Sequence, residues 1–123
     1  MALRFSILGS GSAGNSALLQ TDNTRVLIDA GFSVKRLAGL LAEHGEKLER
    51  IDAIFLTHEH GDHAAALNGL ARHPHIRVFA NRATAEKVQA GLKHRVAWNP
   101  LETGGTFRFR DLEVSSFSVP HDA

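Results

Sequence analysis

The chain has 123 residues, 43% hydrophobic and 22% charged, the balance of an ordinary globular domain with enough length to bury a core. Fourteen basic against 13 acidic side chains leave a formal charge of +1, too even to mark a nucleic-acid footprint by itself. The absence of cysteine excludes disulfides, thiolate nucleophiles, iron–sulfur clusters and Cys-based zinc sites, so any metal must be held by histidine and carboxylate.

Leu3, Phe5 and Ile7 alternate with Arg4 and Ser6, which predicts a strand leading into the glycine-rich loop Gly9 to Ser16. A second strand is expected over Ala17 to Gln20, a turn at Thr21-Asp22-Asn23, and a third strand over Arg25 to Asp29 closed by Ala30-Gly31. Three short strands in close succession make a meander. Ser33 can cap a helix with the stripe Val34, Leu37, Leu40 and Leu41, ending before Gly45. Ile51 to Leu56 is a nearly all-apolar run, the pattern of a strand covered on both faces. Beyond residue 63, Ala64 to Arg72 reads as a helix stopped by Pro74, Ile76 to Ala80 as a strand, and Asn81 as the cap of a helix through Ala90, with Gly91 just after it. Thr106 to Arg110 and Glu113 to Val119 are expected to form a hairpin turning at Asp111-Leu112. This alternation predicts an α/β (or α+β) layered domain over residues 1–123. No basic region followed by an apolar stretch opens the chain, and no uncharged apolar run approaches the ~18 residues of a membrane span, so a cytoplasmic protein without a membrane partner is expected.

The densest chemistry lies at Thr57-His58-Glu59-His60-Gly61-Asp62-His63, directly after the buried strand. In locally extended backbone, residues i and i+2 project to one side, so His58 and His60 can reach one metal while Asp62 and His63 address a second position. Imidazole and carboxylate suit zinc, with manganese or iron as alternatives. A single loop histidine is usually solvated or a helix cap, but four ligand-type residues at this spacing argue for metal. Two neighbouring ions lower the pKa of a bridging water and hold developing charge, so hydroxide serves as nucleophile and no serine or cysteine is needed. Asp62 can orient that hydroxide and manage its proton, and Asp29 and Thr57 can fix ligand orientation through hydrogen bonds. Asp29 reads equally well as a turn former before Ala30-Gly31.

The spelling T-H-x-H-x-D-H resembles the signature of the metallo-β-lactamase superfamily. The S-G-S-x-G-N run at Ser10 to Asn15, the strand end Leu27-Ile28-Asp29-Ala30-Gly31 and the ending Ser118-Val119-Pro120-His121-Asp122-Ala123 are most similar to its YycJ (WalJ) branch, whose members are linked to nuclease activity. The resemblance covers essentially all of the chain. It implies that His58, His60 and His121 bind the first metal, that Asp62 and His63 belong to the second, and that the fold is a four-layer αββα sandwich. It also implies a later bridging aspartate and a later histidine, so these residues are expected to be a truncated form supplying about the N-terminal half and the start of the second. A fragment or completion by another chain are both consistent with that departure.

Other motifs carry less. The loop Gly9 to Asn15 lacks the following helix of a dinucleotide fingerprint and the lysine of a P-loop; it reads as a turn shaping the rim of the cleft, with Ser10, Ser12 and Asn15 as substrate contacts. His44, His73, His75 and His94 read as solvated or capping residues, and Trp98 as core or interface packing. The expected function is hydrolysis of phosphodiester bonds in DNA or RNA. A small anionic thioester, lactone or ester is the alternative substrate, and a non-catalytic metal-binding or assembly module the alternative from another class. Oligomeric state is not legible.

Overall fold

A computed structural model describes residues 3–58, 64–102 and 105–115 of the chain. The first three strands are the expected meander: β1 (Arg4–Gly9), β2 (Ser16–Gln20) and β3 (Arg25–Ile28) pair antiparallel in sequence order. The turn between β2 and β3 is built by Thr21, whose hydroxyl accepts from the amides of Asn23 at 3.1 Å and Thr24 at 2.9 Å. From β3 onward the pairing is parallel through β4 (Ala53–Phe55), β5 (Arg77–Asn81) and β6 (Trp98–Leu101), giving a six-stranded sheet in the order β1-β2-β3-β4-β5-β6.

Parallel neighbours need crossovers, and helical segments supply them. Helix α1 (Val34–Ala42) begins where the Ser33 side chain accepts from the Arg36 amide at 3.2 Å and ends before Gly45, which sits at φ 69°. Helix α2 (Arg82–Ala90) is capped by Asn81, which accepts from the Thr84 amide at 2.8 Å, and Gly91 follows it. Both caps stand where the sequence placed them. Between β4 and β5 the helix expected over Ala64 to Arg72 is present as a 3₁₀ helix over Ala65–Arg72, with the Ala66 amide drawn to the Ala30 carbonyl at 2.9 Å. Gly69 is needed there, because an added Cβ would lie 3.0 Å from the Cβ of Val34 on α1.

Strand alternation divides the apolar residues between two faces. Leu8, Leu18, Leu27, Ile54 and Val78 point to the helical face and bury with Leu37, Leu41, Leu67, Leu70, Ala85 and Val88. Val26, Ala53, Phe55 and Phe79 point to the other face, which is covered by a hairpin of β7 (Thr106–Phe109) and β8 (Leu112–Ser115) through Phe109, Leu112 and Val114. Phe55 stacks on Phe79 with centroids 4.7 Å apart, and Phe109 meets Phe79 edge-on at 5.4 Å. The layers are therefore helices, mixed sheet, and a hairpin that starts another β layer, which agrees with the α/β expectation. At the β1 end, Leu3, Phe5 and Ile7 lie on the hairpin face and are 64%, 60% and 58% exposed. No helix among the described residues is long and apolar enough to cross a membrane.

Two elements depart from the sequence expectation. The hairpin turns at Arg110-Asp111, one residue earlier than expected; Leu112 pairs with Phe109, and Arg110 takes the left-handed conformation at φ 54°. The expected second arm to Val119 runs outside the described residues beyond Ser115. Strand β6 was not expected at all: Trp98-Asn99-Pro100-Leu101 lacks alternation and contains a proline, which an edge strand tolerates. Its seat comes from α2, where Gln89 Oε1 accepts from the Val96 amide at 2.9 Å and from Trp98 Nε1 at 3.0 Å.

The turn position is explained by Asp111. Its carboxylate accepts from Thr21 Oγ1 at 2.6 Å and from Thr24 Oγ1, tying the hairpin to the β2–β3 turn, while Arg110 pairs with Asp52 at 3.3 Å. The hydrogen bonds from Thr21 and then Thr24 hold the Asp111 pKa below its ordinary value. A carboxylate with a depressed folded pKa contributes stability that is present above the unfolded value and is lost as pH falls through the folded one. Asp111→Asn should therefore flatten the acid side of the stability curve, with less change between neutral pH and the carboxylate range than in the wild type; urea denaturation across that range measures it.

Candidate metal centre

The carboxyl ends of β3 and β4 and the loop between β1 and β2 lie at one end of the sheet, because β2 runs antiparallel to both β1 and β3. Loops at the carboxyl ends of parallel strands are the usual position of a site in such sheets. There the chain leaves β3 through Asp29, a buried residue in the left-handed conformation at φ 63°, which aspartate tolerates better than most residues. This turn carries its carboxylate over the end of β4. Asp29 Oδ1 accepts from the Thr57 amide at 2.7 Å, and Oδ2 accepts from Thr57 Oγ1 at 2.6 Å. The backbone of Asp29 is fixed on both sides, its amide donating to the Phe55 carbonyl at 2.8 Å and its carbonyl accepting from Ser16 Oγ at 2.8 Å.

Thr57 passes this order to His58, whose Nδ1 lies 2.8 Å from Thr57 Oγ1. A threonine hydroxyl has one proton, and an ionised carboxylate can only accept. With that proton given to Asp29, the hydroxyl can only accept from the ring, so Nδ1 carries a hydrogen, and in the neutral imidazole the lone pair is then on Nε2. That is the tautomer a metal-ligating histidine requires when its other nitrogen is held by a hydrogen bond. Asp29 thus forms the turn after β3 and also bonds through its carboxylate to Thr57.

The remaining predicted ligands, His60, Asp62, His63 and His121, lie outside the described residues, as does Glu59. Among the described residues no group of three or more histidines and carboxylates is placed to hold an ion. The residue types of the predicted set, imidazole and carboxylate, suit a divalent cation.

The glycine-rich loop is braced from within. Asn15 Oδ1 accepts from the Gly11 amide at 3.0 Å, its Nδ2 donates to the Gly11 carbonyl at 2.8 Å, and its own carbonyl accepts from the Gly31 amide at 2.9 Å. Phe32 fills the space under the loop: a Cβ on Gly14, which sits at φ 153°, would lie 2.7 Å from Phe32 Cδ1, and one on Gly9 would lie 3.0 Å from Cε2. Ser10 and Ser12 are exposed at this same end of the sheet, whereas both polar atoms of the Asn15 side chain are engaged in the loop. Sequence reasoning missed Ser16 and Phe32. A serine at a strand start and a phenylalanine after Ala30-Gly31 carry no motif; only their partners give them meaning.

A model of the Beta-lactamase superfamily domain matches residues 24–123. The chain belongs to this superfamily. It is 40% identical over 132 residues to the protein named Exodeoxyribonuclease WalJ from Streptococcus pneumoniae, across 100% of this chain and 47% of that protein. To Exodeoxyribonuclease YycJ from Bacillus anthracis it is 37% identical over 129 residues, again across 100% of this chain and 47% of that protein. The chain thus spans about half the length of the curated relatives it matches. Among solved structures, the Rm3 metallo-beta-lactamase superposes with a TM-score of 0.77 at 22% identity, covering 94% of this chain and 49% of that one. At that identity the likeness establishes the fold, which is the metallo-β-lactamase fold expected from the motif.

The hydrogen-bond chain in this superfamily member makes a direct prediction. In Asp29→Asn the new amide must keep its oxygen on the Thr57 N–H, so its NH₂ faces Thr57 Oγ1 and turns the hydroxyl proton towards His58. The ring should then switch to the Nε2–H tautomer, which ¹⁵N–¹H correlation of the imidazole reads; an unchanged Nδ1–H signature would contradict the proton assignment.

Proposed function

We propose that residues 1–123 form one metallo-β-lactamase-like domain of a two-metal hydrolase acting on phosphodiester bonds, with DNA or RNA as substrate and the cytoplasm as its location. The observation that carries the reading is the Asp29–Thr57–His58 chain, which orients the first residue of the H-x-H-x-D-H run and leaves Nε2 as its basic nitrogen. The names of the two exodeoxyribonuclease relatives support the choice of a nucleic acid over a small ester.

In this reading His58, His60 and His121 hold one divalent ion, and Asp62 and His63 hold the second, with zinc favoured and manganese or iron as alternatives. When bound, such a pair activates water and stabilises charge developing at an attacked phosphorus. Asp62 orients the attacking water and receives its proton. Asp29 and Thr57 keep His58 in one tautomer and one ring orientation, so that no reorganisation is required on loading. Ser10 and Ser12 sit on the glycine-rich rim as substrate contacts with exposed hydroxyls, while Asn15, the third candidate, holds the loop in shape. In this reading water is the nucleophile and no serine is needed.

The full-length gene product should degrade end-labelled DNA or RNA, lose that activity to EDTA and regain it with zinc or manganese. Asp62→Asn should lower the rate about 100-fold, within the usual range for loss of a general base. Cleavage that persists after exhaustive chelation, or no cleavage of either nucleic acid by the metal-loaded protein, would contradict the proposal.

A further inference from the structure

Asp29 occupies a backbone conformation that most residues with a Cβ avoid, and what holds it there is visible in the strand register. The last ladder pair between β2 and β3 is Ala17 with Ile28, so regular pairing has ended one step before Asp29. At that step Ser16 pairs with Gly9 on the other side, and its hydroxyl, on a residue only 3% exposed, donates to the Asp29 carbonyl at 2.8 Å. A side chain thus supplies the hydrogen bond that the ladder no longer makes. The opposite side of the same residue is tied to β4 through the Phe55 carbonyl.

We propose that Ser16 is a positioning residue, whose buried hydroxyl holds the left-handed backbone of Asp29 and thereby sets which ring nitrogen His58 presents. The chain of influence is short. Ser16 fixes the Asp29 peptide, the peptide fixes the direction of the carboxylate, and the carboxylate takes the single hydroxyl proton of Thr57, leaving its oxygen to accept from His58 Nδ1. Each link is a hydrogen bond of ordinary length. A serine that only satisfied a buried carbonyl would affect stability; a serine with this role also changes the imidazole. Alanine at position 16 removes the donor without adding volume, and cysteine keeps the shape with a weaker donor.

The test uses the metal-free full-length gene product, ¹⁵N-labelled, as wild type, Ser16→Ala, Ser16→Cys and Val88→Ala. The last variant truncates a buried residue of α2, which packs on β5 and β6 away from β2, and serves as a control for lost stability. Wild type and Val88→Ala should show the Nδ1–H tautomer at His58. Ser16→Ala should show a mixture with Nε2–H, and Ser16→Cys should fall between. Zinc affinity, measured by competition with a chromophoric chelator, should fall about tenfold in Ser16→Ala, the lower end of the loss typical for groups that orient a ligand, and stay at the wild-type level in Val88→Ala. An unchanged tautomer in Ser16→Ala, or an equal shift in Val88→Ala, would overturn the inference. The zinc readout rests on the hydrolase reading, and the tautomer readout does not: a wild type that binds no zinc overturns the former, while the imidazole signals still decide the role of Ser16.

Discussion

One proton, on the hydroxyl of Thr57, organises the described part of this site. Because Asp29 accepts it, the hydroxyl must accept from His58 Nδ1, which leaves the lone pair of the neutral ring on Nε2. Everything upstream serves to bring the Asp29 carboxylate to that hydroxyl. The buried strands β3 and β4 set the separation, the left-handed turn at Asp29 sends its side chain across from one strand to the next, and bonds from Ser16 and to Phe55 hold the turn. Aspartate suits the position twice, as one of the few residues that accept this backbone and as a carboxylate with two acceptor atoms for one threonine. The sheet supports Asp29, Thr57 and His58 at the ends of β3 and β4.

The opposite end of the sheet is held by a separate set of charges. Glu46, only 5% exposed, bonds to Arg25 Nε at 2.7 Å and to Gln20 Nε2 at 2.8 Å, and Asp52 joins the Arg25 amide to the Arg110 guanidinium. The Asp52–Arg110 pair and the bonds of Asp111 to the β2–β3 turn dock the hairpin onto the second face of the sheet. Buried polar groups of this kind are costly unless satisfied, and no buried side-chain nitrogen or oxygen among the described residues lacks a partner. The division of labour is spatial: structural ion pairs lie at one end of the strands, and the candidate chemistry lies at the other.

How much of this could be read from the chain follows from the range of each interaction. Helix starts at Ser33 and Asn81 were legible because a cap is a bond across three residues. Strands β2 to β4 were legible because apolar runs record burial locally, and β1 by an alternation whose apolar side chains nevertheless stay exposed. The hairpin turn was misplaced by one residue because Asp111 answers to Thr21 and Thr24, 90 and 87 residues away, and because arginine is not a residue that advertises a left-handed turn. Strand β6 was missed because its place depends on Gln89 of a neighbouring helix and not on its own pattern. The histidine motif was readable by spelling, and Asp29 and Thr57 by their proximity to strand ends; that the two meet is a contact across 28 residues. The bond from Ser16 to Asp29 spans 13 residues and leaves no trace in composition or periodicity.

The most direct measurement is a crystal structure of the zinc-loaded, full-length gene product with anomalous data collected at the zinc edge. The account requires a zinc peak at Nε2 of His58, a second within the same cleft, and the Nδ1 hydrogen bond to Thr57 intact. Coordination of His58 through Nδ1, or zinc held elsewhere with His58 turned away, would contradict it.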